Sequence, residues 1–264
     1  MQSKRKIAVA GATGRVGRHV VDVLTERGHE TVAMSRASGV DVITGDGLAD
    51  ALAGVECVID VATGPSPDRQ EATEFFTTAA RNLHEAGDRA GVQRIVVVSI
   101  IGIDKFTGGY SAAKLDHERA ILSGPIPARV LRAAQFHEFV AQLTDWGRRG
   151  DVAYVPEMRT QLVAARTVAE ALVDLAVDPD AVPAPAGAPI AEIAGPREES
   201  LVEMATLLAA RRGDPVRIEG VSDPADPDHV LNESGALLPG PHATHAGPTF
   251  EEWLESAPTS SAAS

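Results

Sequence analysis

The stretch Ile7 to Gly17, Ile-Ala-Val-Ala-Gly-Ala-Thr-Gly-Arg-Val-Gly, constrains this chain more than any other. An apolar run of strand character, Ile7 to Ala10, stops at Gly11. Gly14 and Gly17 follow at three-residue steps, and Val16, Val20, Val23 and Leu24 then recur at helical spacing. The three glycines meet different demands. Gly11 permits the sharp exit from the strand, and Gly14 lets the backbone approach a pyrophosphate. Gly17 lets the helix pack closely on the sheet, its N-terminal amides facing the anion. Glycines at this spacing are weak evidence alone, but between a strand and a helix they predict a nucleotide-binding turn, completed by Ala12, Thr13, Arg15 and Val16.

After Gly28, which ends that helix, strands and helices alternate. Strands are expected at Thr31 to Met34, Val40 to Thr44, Cys57 to Val61, Arg94 to Ser99 and Ala128 to Leu131. Helices are expected at about Leu48 to Ala53, Glu71 to Ala90 and Ser111 to Leu122. Arg94 to Ser99 is almost continuously β-branched, as suits a strand covered on both faces. The alternation predicts an α/β fold, a Rossmann-type doubly wound parallel sheet with right-handed crossovers. Beyond Leu131 the rhythm loosens into three helical stripes, at Phe136 to Leu143, Val168 to Leu175 and Leu201 to Leu208. A Pro/Ala-rich surface loop, Pro179 to Pro189, leads into a strand at Ile190 to Ala194. One NAD(P)-binding domain over 1–256 is expected, with a small C-terminal substrate-binding lobe built mainly from 133–165 and 195–255 and a disordered tail at 257–264.

With 264 residues, 44% of them hydrophobic, one large core is within reach. A formal net charge of -13 argues against nucleic-acid or anionic-membrane partners, which need clustered Lys and Arg; the basic cluster present is Lys4-Arg5-Lys6, at a strand edge. No apolar run is long enough to span a bilayer and the N-terminus lacks a secretory core, so a cytoplasmic protein is expected. The single cysteine, Cys57, sits in an apolar run where a thiol is inert. His242 and His245 share a Pro/Gly-rich loop without a thiol or carboxylate partner, and no metal site is expected. Trp146, Phe250 and Trp253 read as packing residues of the C-terminal lobe, and Asn82 as a side chain that satisfies backbone groups.

In a fold of this kind the end of the second strand meets the adenosine ribose, where an acidic residue favours NAD and an arginine NADP. Here Ser35-Arg36 stands at that place with no Asp or Glu between Val32 and Gly39, so NADP(H) is the expected cofactor, NADPH preferred over NADH. Arg15 either adds a second positive charge near the same phosphate or is an exposed first-turn residue. Asp46 either meets the adenine edge or serves as a helix cap or turn residue.

Ser99 ends the strand that starts at Arg94, on the side where open parallel sheets bind ligands. Tyr110 follows, then Lys114 four residues later in Tyr-Ser-Ala-Ala-Lys. Residues four apart share a helix face, so the Lys114 ammonium is expected one turn from the phenol, lowering its pKa toward neutrality for proton exchange. Ser99 is expected to hold the same substrate oxygen. The alternative is a helix-start aromatic beside a solvated lysine.

The chain resembles the short-chain dehydrogenase/reductase superfamily, in particular its atypical, NmrA-like NAD(P)H-binding branch. The resemblance is carried by Gly-Ala-Thr-Gly-Arg-Val-Gly at 11 to 17, Val-Val-Val-Ser-Ile-Ile-Gly at 96 to 102, Tyr-Ser-Ala-Ala-Lys at 110 to 114, Leu-Arg-Ala-Ala-Gln-Phe-His-Glu-Phe at 131 to 139 and Ala-Gly-Pro at 194 to 196. It implies that Ser99, Tyr110 and Lys114 form a Ser-Tyr-Lys catalytic set, with Lys114 also hydrogen-bonding the nicotinamide ribose. It also implies that Ala62, Thr63, Ala133 and Ala134 lie beside the cofactor. Ile101, Gln135, Phe136 and His137 are the candidate substrate-lining residues.

That branch holds reductases of quinones, dyes and natural-product intermediates, and also redox sensors that bind the dinucleotide without turning it over. The expected activity is NADPH-dependent reduction of a small carbonyl, quinone or related conjugated substrate, with Tyr110 as proton donor. The alternative is a non-catalytic NADP(H)-binding regulator acting through a protein partner. A small-molecule substrate is the expected partner, and an oligomer is possible.

Overall fold

The structure, a computed structural model, describes residues 4–178, 189–222, 224 and 228–256. In chain order the elements are β1 (Lys6–Ala10), α1 (Gly17–Glu26), β2 (Glu30–Met34), α2 (Leu48–Ala51), β3 (Cys57–Asp60), α3 (Arg69–Ala90), β4 (Arg94–Ile100), α4 (Gly109–Leu122) and β5 (Ala128–Ala133). There follow α5 (His137–Trp146), β6 (Arg148–Arg149), β7 (Val152–Pro156), β8 (Arg159–Thr160), α6 (Ala165–Val177), β9 (Ala191–Ala194), β10 (Glu199–Ser200), α7 (Leu201–Arg212), β11 (Arg217–Val221), α8 (His229–Glu233), β12 (Thr244–His245) and α9 (Phe250–Ser256). The expected tail at 257–264, and the expected loop over Pro179 to Pro189 apart from its last residue, lie outside the described residues.

The chain divides into two compact units. One comprises Met1–Ile100, Gly108–Arg132 and Val168–Ala191; the other comprises Ile101–Thr107, Ala133–Thr167 and Glu192–Ser264.

In the first unit the strand order is β5-β4-β3-β1-β2, and the pairs β4-β3, β3-β1 and β1-β2 are each parallel. Ala8, Ala10, Val58, Ile95 and Val97 pack with Ala80 and Leu83 of α3 and Ile121 of α4 in one core. The alternate residues Ile7, Val9, Cys57, Ile59 and Val96 are equally buried, so the sheet is covered on both faces, as the apolar runs require. The chain leaves β1 toward β2, then crosses back over β1 to β3. That reversal puts the topological switch point at the carboxyl end of β1. The register aligns Ala10 with Met34 and Asp60, and Asp60 with Val97, so Gly11, Ala62, Thr63 and Ser99 all follow at one end of the sheet.

Local chemistry sets the helix ends. α3 starts at Arg69, two residues before the expected position, because the Asp68 carboxylate accepts hydrogen bonds from Gln70 N–H and Glu71 N–H. It stops at Gly91, whose φ of 78° is open to glycine. α4 starts at Gly109, bringing Tyr110 into its first turn.

The expected strand at Val40 to Thr44 does not form. Asp41 Oδ1 accepts from the N–H groups of Ile43 and Thr44 at 2.7 and 3.4 Å, which turns the chain. Asn82 Nδ2 donates to Val42 O and Ile43 O at 2.9 and 2.8 Å, supplying donors that a ladder would have provided. Side-chain hydrogen bonding to backbone overrides the β-branched composition of this run.

In the second unit β7 pairs in parallel with β11 and antiparallel with β6, while β8 pairs antiparallel with β10 and β9 in parallel with β12. Val140, Val155, Leu162, Leu201, Met204, Leu208, Phe250 and Leu254 form its core. Phe250 is buried and stacks on Trp253 at 5.6 Å. Trp146, expected to pack, is instead 57% exposed; it ends α5 and meets only the edge of Phe139 among ring contacts of the described residues.

Candidate functional site

The glycine turn lies at the switch point. Gly11 has φ of 79°, and a Cβ there would come within 2.7 Å of Ala62 Cα. A Cβ on Gly17 would lie 2.0 Å from Gly11 O, so only glycine lets α1 start this close to the turn. Gly11 N–H and Ala12 N–H both donate to Met34 O at 3.2 Å. Gly14 and Thr13 are exposed, Arg15 is half-buried, and Ala12 and Val16 are buried. α1 has no side-chain cap and no acidic residue in its first turn, so no side chain offsets the positive end of its dipole toward an anion. These features fit a dinucleotide phosphate.

At the end of β2, Ser35 and Ser38 exchange hydrogen bonds, Ser38 N–H to Ser35 Oγ at 3.2 Å and Ser35 N–H to Ser38 Oγ at 2.9 Å. The box fixes a short helical turn, Arg36–Ser38, and leaves Arg36 exposed. Asp46 is exposed; its Oδ2 accepts from Thr44 Oγ1 at 2.7 Å within the Asp41 turn.

On the opposite side of β1, the hydroxyls of Thr63 and Tyr110 lie 2.9 Å apart. Tyr110 also packs edge-on against Phe76 at 5.7 Å. Burial raises the phenol pKa above its ordinary value and the Asp60 charge adds to this, while the Thr63 hydrogen bond opposes them. That reverses the expected lowering, because burial outweighs it, and the Lys114 ammonium is itself held by Val98 O and His117. Ser99, 3% exposed at the end of β4, has a buried Oγ with no hydrogen-bond partner among the described residues. An unmet buried hydroxyl fits a site completed by a ligand.

Lys114 is 4% exposed. Its Nζ donates to Val98 O at 2.9 Å, lies 2.9 Å from His117 Nδ1 and stands 4.5 Å from the centroid of the Phe76 ring. His117 Nε2 in turn lies 3.1 Å from Asp60 Oδ2, and Asp60 Oδ1 accepts from Ala62 N–H at 3.0 Å. Burial lowers the Lys114 pKa to about 8 against the raising pull of Asp60 and Glu118. Burial and the Lys114 charge lower that of His117. For Asp60, burial pushes upward, but the His117 hydrogen bond and charge, the Ala62 N–H and Lys114 together hold the carboxyl below its ordinary value. The sequence reading missed Asp60 and His117. Their signals were a carboxylate inside the apolar run Cys57-Val-Ile-Asp-Val61, which must be paired if buried, and a histidine three residues after Lys114 on the same helix face.

The remaining candidates fall in the second unit. Ile101 N–H donates to Ala133 O at 3.0 Å and Ala134 N–H to Ile193 O at 2.9 Å. Gln135 is half-buried with its Oε1 accepting from Thr160 Oγ1 at 2.6 Å, and Phe136 bridges to Val163. His137 is fully buried: Nε2 lies 3.1 Å from Leu162 O and the ring meets Phe250 and Trp253 at 5.4 Å each. Burial lowers its pKa to about 4, so the imidazole is neutral.

Residues 11–179 match the family described as NAD(P)H-binding. The chain is 31% identical over 112 residues to a 3-beta-hydroxysteroid dehydrogenase of Mycolicibacterium neoaurum, covering 34% of this chain and 31% of that protein. It is 36% identical over 112 residues to sterol demethylase protein B of Methylococcus capsulatus, covering 36% and 34%. The chain thus spans about a third of the length of the curated relatives it matches. Among solved structures, a short-chain dehydrogenase/reductase superfamily protein from Agrobacterium tumefaciens with bound NAD shares the fold, with a TM-score of 0.66 at 20% identity over 95% of each chain. No helix among the described residues is long and apolar enough to cross a membrane. The chain belongs to the NAD(P)H-binding family, on a Rossmann-type fold.

Proposed function

We propose that this protein is an NADP(H)-dependent oxidoreductase that reduces a small carbonyl, quinone or related conjugated substrate, with Tyr110 giving the proton. The observation that carries the reading is the Tyr110 phenol, raised in pKa and hydrogen-bonded to Thr63, on the same sheet end as the glycine turn. A phenol that is protonated at neutral pH can donate to an oxygen gaining electrons, as a reduction requires. Membership of the NAD(P)H-binding family and the dehydrogenase named among the relatives support redox chemistry.

The turn from Gly11 to Gly17 would hold the pyrophosphate, Ser35 and Arg36 the 2′-phosphate that distinguishes NADP, and Lys114 the nicotinamide ribose. A bound reduced nicotinamide supplies the hydride. Tyr110 and the unpartnered Ser99 hydroxyl would orient the substrate oxygen, and Tyr110 O–H then protonates it. Thr63 holds the phenol in place between turnovers.

One observation leans toward the second reading, a redox-sensing regulator. The Lys114 ammonium is engaged with Val98 and His117, and the Tyr110 pKa is raised by burial instead of lowered. NADPH oxidation with a panel of quinones, ketones and a 3-ketosteroid, the last prompted by the relative's name, separates the two. Turnover that disappears in Tyr110→Phe supports the enzyme; tight NADPH binding with no turnover above that variant supports the regulator.

A further inference from the structure

The Ser-Tyr-Lys reading has no use for Asp60 or His117, yet both are 1% exposed in the middle of the first unit and joined to Lys114 by an unbroken hydrogen-bonded chain. Four elements contribute. β3 supplies Asp60, α4 supplies Lys114 and His117, β4 supplies the Val98 carbonyl, and α3 supplies the Phe76 ring. That ring stacks on His117 at 4.7 Å with 17° between planes, so the imidazole has little freedom to turn.

The donor inventory fixes the proton positions. An ammonium donates and never accepts, so His117 Nδ1, facing Nζ, is the acceptor. The ring proton then lies on Nε2 and is donated to Asp60 Oδ2, whose sister oxygen is taken by Ala62 N–H. The ammonium spends one proton on Val98 O and one on His117 Nδ1, and rests over the negative face of Phe76. A buried ammonium is expensive unless an opposite charge balances it. Asp60 is that charge, one imidazole away. Glu118, on α4, holds Arg132 of β5 at 2.9 and 3.0 Å and adds a smaller raising pull on Lys114 than Asp60 does. Tyr110, the remaining titratable group on α4 near the chain, bonds to Thr63.

We propose that Asp60 and His117 are positioning residues for Lys114: a neutral imidazole couples the ammonium to a buried counter-charge and fixes where the lysine head stands. Asp60 is 1% exposed, so the chain of hydrogen bonds ends in the core and serves to hold charge. The assignment rests on Lys114 belonging to the site proposed above, but its test reads the lysine directly in cofactor-free protein. A failure to find turnover leaves that test unaffected, and a failure of the test leaves the turnover assay unaffected.

The experiment is an NMR titration of lysine Nζ in the whole, cofactor-free chain, whose four lysines are Lys4, Lys6, Lys105 and Lys114, with the Lys114 signal assigned by its loss in Lys114→Met. Wild-type Lys114 is expected to titrate at about 8. Asp60→Asn keeps the shape and removes the charge, and the midpoint is expected to fall by about one unit or more. His117→Gln presents an oxygen to the ammonium and an N–H to Asp60, and is expected to keep the midpoint within about half a unit. An Asp60→Asn midpoint within about 0.3 units of a natively folded wild type overturns the proposal. A second reading needs no variant: the imidazole ¹⁵N signals of wild-type His117 should report a neutral ring protonated at Nε2 at pH 7, and a ring protonated at Nδ1 overturns it equally.

Discussion

The hydroxyl oxygens of Tyr110 and Thr63 lie 2.9 Å apart, from the first turn of α4 to the loop after β3. Thr63 is the one neighbour that lowers the phenol pKa against burial and the Asp60 charge. Thr63→Val is therefore expected to raise the Tyr110 pKa further. The activity limb that reports loss of the phenolic proton should move to higher pH, while kcat falls by no more than about tenfold, the worth of one neutral hydrogen bond. A pH profile of kcat/KM checks both; a limb that moves to lower pH contradicts the assignment.

Arg36 stands exposed at the end of β2, with the Ser35–Ser38 box fixing its backbone. Arg36→Ala should weaken NADP(H) binding by about 10- to 100-fold, the range for losing a hydrogen bond to a charged group, and leave NAD(H) nearly unchanged. Titration with both dinucleotides checks it. Equal losses for the two would remove Arg36 from the 2′-phosphate.

The fold and the turn were legible in the sequence because both rest on local rules. Strand-helix alternation and β-branched runs predicted the parallel sheet, and the spacing of Gly11, Gly14 and Gly17 predicted the tight turn between β1 and α1. Val40 to Thr44 misled because Asp41 and Asn82, 41 residues apart, satisfy its backbone in a way no local propensity registers. The direction of the Lys114 ammonium was equally hidden. Helical spacing places Tyr110 and Lys114 on one face, but the competing acceptors, Val98 O and His117 Nδ1 with Asp60 behind, come from three elements. Trp146 shows the same limit: an aromatic in a helical stripe reads as core, and its position at the end of α5 leaves it exposed.

Gly17→Ala tests the cradle. The added Cβ would meet the Gly11 carbonyl at 2.0 Å, and backbone cannot yield as a flexible side chain does. Urea unfolding should show a loss of about 1–3 kcal/mol, with weaker NADPH binding. Unchanged stability and affinity would contradict the packing of α1 on the turn.

His137 makes stability depend on acid. Its folded pKa, about 4, lies below the ordinary value of 6.5, so the unfolded chain binds the proton more readily between those values. The contribution is complete above pH 6.5 and is lost as pH falls toward 4, at up to about 1.4 kcal/mol per pH unit. His137→Phe, placed against Phe250 and Trp253, should flatten this part of the stability profile relative to wild type. Parallel profiles across that window would contradict the neutral buried imidazole.

Tyr110 is proposed to deliver a proton to a substrate reduced at the expense of NADPH. The direct measurement is steady-state NADPH oxidation with the carbonyl and quinone panel, wild type against Tyr110→Phe, alongside NADPH affinity for both proteins. Turnover is expected to fall by about 100- to 10,000-fold in the variant, the range for a positioned general acid, with NADPH affinity within about threefold. Wild type that binds NADPH but turns over no faster than Tyr110→Phe with any substrate would contradict it.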